Sequence, residues 1–226
     1  YEKIISNLSN LPLLLKLMSI CPIANAELEL GFTSIRSLIL ASVLEKSTDT
    51  DLLKFQSALA LHCFTNEYVY NQNSSDFNSI KRLETLVERI FKKGNQPNPN
   101  ALLCLASFKA LSEYDWCELV DVTKNLEEVF IRQVLEPREE KCLKSEIKTL
   151  GVIKHEISSK VRRQYENNPY PRWVNTGLIK EPIYIRELVD IFRLKLTSPI
   201  IKKVQAPSIL IAGCVTGQHS IQTAAR

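Results

Sequence analysis

Hydrophobic positions recur at helical spacing from Leu11 to about Lys148, and the pattern changes only toward the carboxyl end. Thr33 or Ser34 can cap a helix whose inward positions are Ile35, Leu38, Ile39, Ser42 and Val43. Asp49 or Asp51 opens the next, with Leu52, Phe55, Leu59 and Cys63 on one stripe and Leu53, Ala60 and Phe64 beside it. Being apolar around most of its girth, that helix is expected to lie centrally. Asn71 to Ser75 reads as a polar break. Asn78 or Ser79 then starts a strongly amphipathic helix through Ile80, Leu83, Leu86, Val87, Ile90 and Phe91. Lys92 and Lys93 complement its dipole and Gly94 suits a left-handed cap. The turn Gln96-Pro-Asn-Pro-Asn100 leads into Ala101–Leu111. Lys124–Leu135 and Arg138–Ile147 follow, with Pro137 breaking or kinking the run between them. No repeat at a period of roughly 34 or 40 residues marks a regular solenoid. The expectation is a mainly α protein with a helical array or bundle over residues 1–150.

Residues 151–206 read as a helical connector. A helix carrying Val161 and Tyr165 must end near Asn168, because Pro169 disfavours helical geometry before it. Pro169 and Pro171 hold Tyr170, Arg172 and Trp173 in a stiff arrangement. Such a segment suits either the wall of a binding pocket or a rigid linker whose aromatics cover a domain join. Ile183–Leu196 is a further helix. Residues 207–226 differ in kind. Ser208–Ala212 reads as a short, fully buried strand, Gly213-Cys-Val-Thr-Gly217 as a turn, and the remainder as the start of a helix. Strand, glycine turn and helix is how a doubly wound α/β domain opens a nucleotide-type site.

Composition narrows the partners. The 29 basic and 25 acidic residues leave a net charge of +4, too small and too dispersed for a nucleic-acid surface. No apolar run approaches ~18 residues, so no membrane span is expected. Cysteines 21, 63, 104, 117, 142 and 214 lie far apart without a C-x-x-C pair, which argues against a metal cluster or disulfide framework and for a reduced, cytoplasmic protein. His62 adjoins Cys63 on an apolar helix and is expected to be packed. His155 is expected to be solvated, His219 either to be exposed or to contact a cofactor from the first turn after Gly217, and Glu67 to join a structural network with Tyr68 or Tyr70.

Ile209-Leu-Ile-Ala-Gly-Cys-Val-Thr-Gly-Gln-His-Ser220 resembles the first motif of class I S-adenosylmethionine-dependent methyltransferases. Gln164-Tyr-Glu-Asn-Asn-Pro-Tyr-Pro-Arg-Trp173 is similar to a segment of bacterial proteins that join a helical, often tetratricopeptide-type, amino-terminal region to such a domain. His62-Cys-Phe-Thr-Asn-Glu-Tyr-Val69 and Glu136-Pro-Arg-Glu-Glu140 match two further segments of those proteins. The resemblance implies that residues 207–226 are the first βα unit of a truncated Rossmann-like methyltransferase domain. It places Gly213, Cys214, Thr216 and Gly217 on the methionine and ribose side of the cofactor, and Tyr170, Arg172 and Trp173 near the pocket mouth. Val215 stands where the family has glycine. If that position needs positive φ, a β-branched residue costs on the order of 1–3 kcal/mol there.

The same resemblance implies a fragment whose ribose-binding carboxylate lies further along the chain. S-adenosylmethionine is then the cofactor of the longer parent, and none is expected to bind these residues alone. The competing expectation is a helical protein-interaction module without catalysis. An unpaired Ile209–Ala212 strand would join the same strand of a second copy as a homodimer, pack in a non-strand form, or lack order.

Overall fold

Helices make up the regular structure of the computed structural model, which describes residues 2–45, 52–148, 151, 155–167, 172–175, 177, 181–193, 195, 198, 200, 203–205, 208–213 and 216–224. In chain order these are α1 (Glu2–Ser9), α2 (Pro12–Ile20), α3 (Ala26–Leu44), α4 (Leu53–Thr65), α5 (Ser74–Lys92), α6 (Pro99–Ala106), α7 (Glu127–Phe130), α8 (Glu136–Glu146), α9 (Glu156–Asn167), α10 (Ile185–Ile191) and α11 (Gln218–Ala224). Two short 3₁₀ turns follow α6, and a π turn, Ile131–Leu135, joins α7 to α8. The chain divides into two units, Tyr1–Arg172 and Trp173–Arg226.

In the first unit α4 is the centre, as its all-round apolar sequence predicts. Nearly every side chain from Phe55 to Thr65 is buried, and α1, α2, α6 and α7 pack on it. One continuous core runs from Ile5 to Val134. Beyond it, α8 and the described residues of α9 bury no side chain. The Asp49 and Asp51 starts lie outside the described residues.

Two helix beginnings differ from the sequence expectation. α3 starts at Asn25, whose side chain accepts from the Leu28 N–H at 2.9 Å. Thr33 and Ser34, expected as caps, lie inside α3, and their hydroxyls donate to the carbonyls of Glu29 and Leu30. α5 starts at Asn73 in a capping box with Asp76, which consumes part of the expected polar break. Asn78 and Ser79 are interior. The other end of α5 matches: Gly94 has φ 74°, and the Gly94 and Asn95 N–H groups donate to Phe91 and Ile90, a Schellman motif.

Pro137 does not break its helix. It sits at the start of α8, one residue after the π turn. A proline ring collides with the carbonyl four residues back, here that of Gln133, and offers it no N–H. Widening the preceding turn relieves both problems, and the Glu136 N–H donates to Ile131 five residues back. The turn also aims Arg132, Gln133 and Val134 inward, where all three are buried.

The second unit is thinly packed. Val189 is its single buried residue among those described. α10 is shorter than the expected Ile183–Leu196, ending where Arg193 turns left-handed at φ 50°. The expected buried strand is corrected. No strand is formed among the described residues, and Leu210 is 92 % exposed. A run of Ile and Leu becomes a strand only beside a second extended segment that takes its backbone groups, and Ser208–Ile211 has none among the described residues.

Candidate functional site

Arg172, in the first unit, is held by residues at the end of α4. Its Nε donates to Glu67 Oε1, and its guanidinium lies 4.5 Å from the centre of the Phe64 ring. Both side chains of the ion pair are 19 % exposed, so solvent screens them only partly. The turn that presents Glu67 is a second Schellman motif: the Glu67 and Tyr68 N–H groups donate to Phe64 and Cys63. Glu67 occupies the position that usually takes glycine, with φ 58°, and Tyr68 follows at φ 55°. Tyr68 Oη donates to the Ala106 carbonyl at 3.3 Å, fixing the turn on α6. Beside it, Arg132 donates to the Ser19 carbonyl and to Thr65 Oγ1. Burial lowers the Arg132 pKa from its ordinary value, the carboxylates of Glu136 and Glu128 oppose that shift, and the nearby Arg172 charge adds to it.

Two segments noted in the sequence thus meet here. From His62 to Val69, His62 pairs with Tyr70, Thr65 receives Arg132, and Phe64 and Glu67 hold Arg172 of the Asn-Pro-Tyr-Pro-Arg-Trp segment. Glu67 does join a structural network, but its partner is Arg172 rather than a neighbouring tyrosine. The pairing spans 105 residues. The one available clue was a glutamate following Asn66 where a helix ends. In Glu136-Pro-Arg-Glu-Glu140 the glutamates are exposed, and the structural role falls to Pro137.

The glycine turn lies in the second unit. Gly213 and Gly217 both take positive φ, 67° and 84°, as expected for a corner that glycine must make. Each opens onto space: a Cβ at Gly213 would touch nothing within 4 Å, and one at Gly217 would meet only Ile221 Cδ1 at 3.9 Å. Thr216 Oγ1 accepts the indole N–H of Trp173 at 2.6 Å. Two residues expected at one site are therefore joined, although 43 positions separate them. Tyr170, Cys214 and Val215 lie outside the described residues. His219 is exposed.

A cavity of about 650 Å³ lies elsewhere in this unit, between the start of α10, α11 and the extended segment. Ile183, Leu188, Ile209, Ile211 and Thr223 contribute to its wall, and among the described residues no charged side chain does and none of Gly213, Thr216 or Gly217 reaches it.

The remaining candidates are structural. His62 is buried, with Nε2 2.7 Å from Tyr70 Oη, and burial lowers its pKa below the ordinary value. Burial pushes the Cys63 thiol up to about 11 and Cys104 to about 12, which keeps both protonated and unreactive. Among the described residues no group of His, Cys, Asp and Glu could hold a metal, and no helix is long and apolar enough to cross a membrane. Comparison with protein-family models, curated proteins and solved structures finds no match to this chain.

Proposed function

We propose that the chain carries the opening corner of a class I S-adenosylmethionine-dependent methyltransferase domain, with the helical unit as its accessory region. The observation that carries this reading is the 2.6 Å hydrogen bond from Trp173 to Thr216. It joins Trp173 to Thr216, one residue from each of two segments that carry the resemblance. The left-handed glycines with open space beside them support it, because a ligand can approach backbone that no side chain covers. S-adenosylmethionine supplies a methyl group on a sulfonium. Gly213 and Gly217 would contribute backbone that can lie close to the ligand, and Trp173 would hold the Thr216 hydroxyl in one orientation. Catalysis in this reading is chiefly positioning of an acceptor in line with the methyl.

Residues 213–226 contain no Asp or Glu, so the carboxylate that grips the ribose in such domains is not supplied by the stretch after the glycine turn. Calorimetric titration is the test. Residues 1–226 alone should give no heat with S-adenosylmethionine. The polypeptide continued through the rest of the domain should bind it, and Trp173→Phe or Thr216→Val should weaken that binding several-fold. Micromolar binding by residues 1–226 would overturn the incomplete site; absence of binding in the longer polypeptide would overturn the methyltransferase reading. A homodimer through Ser208–Ala212 belongs to the same proposal and would sediment as a two-chain species.

A second reading, a helical interaction module, is favoured by apolar side chains on the outer helices. Leu13 on α2 is 74 % exposed and Leu30 on α3 is 70 % exposed. A partner captured by residues 11–150, and lost on Leu13→Ser with Leu30→Ser, would support it.

A further inference from the structure

We propose that Glu67 is a positioning residue, which anchors Arg172 to the turn after α4. The inference does not depend on what the glycine turn binds. The backbone at this turn is one that a glutamate should avoid. Glu67 and Tyr68 both take left-handed φ, 58° and 55°, and the first of them is the Schellman position where glycine carries no Cβ penalty. At Gly94 the same motif ends α5 with glycine, so the fold uses the unstrained solution elsewhere. A glutamate at the α4 turn needs another reason, and strained backbone of this kind points to work done by its side chain.

The side chain is engaged. Its carboxylate accepts from Arg172 Nε, and the Arg172 guanidinium also lies over Phe64, three residues before Glu67. Carboxylate and ring together form a cradle matched to a planar cation. The cradle is preset by the α4 turn and by the Tyr68 bond to Ala106. Arg132, buried nearby, is a like charge to Arg172; Glu136 and Glu128 act on Arg132, and Glu67 supplies the countercharge in direct contact with Arg172. The left-handed turn aims Glu67 at Arg172, and Arg172 is the sole ion-pair partner recorded for Glu67 among the described residues.

Glu67→Gly separates the two explanations of this residue. If Glu67 only ends a helix, glycine relieves the backbone, the melting temperature holds or rises, and nothing else changes. If Glu67 anchors Arg172, the melting temperature still holds or rises, but Arg172 is released. Trypsin reads the release directly, because its site after Arg172 is shielded while the side chain is held. We expect at least tenfold faster cleavage between Arg172 and Trp173 in Glu67→Gly than in the unaltered chain, followed by mass spectrometry. Cleavage at Lys141 on α8 should be unchanged. Equal cleavage rates at Arg172 would overturn the proposal. Should Glu67→Gly lower the melting temperature, Glu67→Gln decides. Faster cleavage at Arg172 with an unshifted melting temperature supports the anchor, and an unchanged rate refutes it.

Discussion

The imidazole of His62 and the phenol of Tyr70 lie 2.7 Å apart, Nε2 to Oη, with the edge of Phe32 against the imidazole. Both side chains are buried, and burial is the largest influence on each: it lowers the pKa of His62 and raises that of Tyr70. A neutral imidazole is therefore part of the folded state. The unfolded chain takes up a proton at His62 near the ordinary value of about 6.5, whereas the folded chain resists until a lower pH. Between those two values the unfolded state binds more protons, so stability is complete above about pH 6.5 and is lost as the pH falls below it. Thermal melts from pH 7.5 to 5 should show a decline that begins above the carboxylate range. His62→Gln should flatten it. His155 and His219 are exposed, and replacing them should leave the decline in place.

Gln133 ties three elements together. Its Oε1 accepts the Leu111 N–H at 3.0 Å, and its Nε2 donates to the carbonyls of Ala60 and Ala106 at 3.2 and 3.0 Å. Gln133→Leu keeps the bulk and strands a backbone donor in the core, while two carbonyls lose a partner. Urea unfolding should show a loss of about 2–4 kcal/mol with the slope against urea unchanged.

Arg36 is 1 % exposed and pairs with no carboxylate among the described residues. Its guanidinium donates to the carbonyls of Ser107, Tyr70 and Asn71 and lies 4.4 Å from the centre of the Phe108 ring. Arg36→Met preserves the stem and should cost about 3 kcal/mol or more, since buried hydrogen bonds from a charged donor are lost together. Arg36→Lys should recover little, because an ammonium cannot reproduce the planar fork. The wild-type stability attributable to Arg36 should vary little between low and high salt, as no exposed ion pair is involved.

Gly94→Ala isolates a backbone effect. A Cβ there would meet nothing within 4 Å, so the φ of 74° alone sets the cost. The expected loss is about 1 kcal/mol, and Gly94→Asn should lose less. Denaturant midpoints of the two variants check the order.

Helix ends were readable where the signal is local. Lys92-Lys93-Gly94 names its own cap, whereas the polar stretch from Asn71 to Ser79 holds several capping residues. Only the reciprocal bond with Asp76 selects Asn73. α3 misled for a related reason: Thr33 and Ser34 satisfy their hydroxyls inside the helix, a use that looks the same in sequence as a cap. Arg36 and Arg132 face inward on helices whose periodicity marks them as polar, so neither buried cation was foreseeable. The Trp173–Thr216 link joins residues 43 positions apart. The Glu67–Arg172 pair did not show, because its partners are far apart in sequence and nothing local announces them. Ile209–Ile211 carries a strand's composition without a strand's neighbours among the described residues.

The widened turn before Pro137 holds one more residue than an ordinary helical turn would use. Each helical residue advances the spiral by about 100°, so that surplus residue sets the direction in which every side chain of α8 faces. Removing one residue between Ile131 and Leu135 would let the helix close into regular windings and swing Glu139 and Leu143 around its axis by about a quarter turn or more. The charged coat of α8 is thus fixed in azimuth by a proline it does not otherwise need.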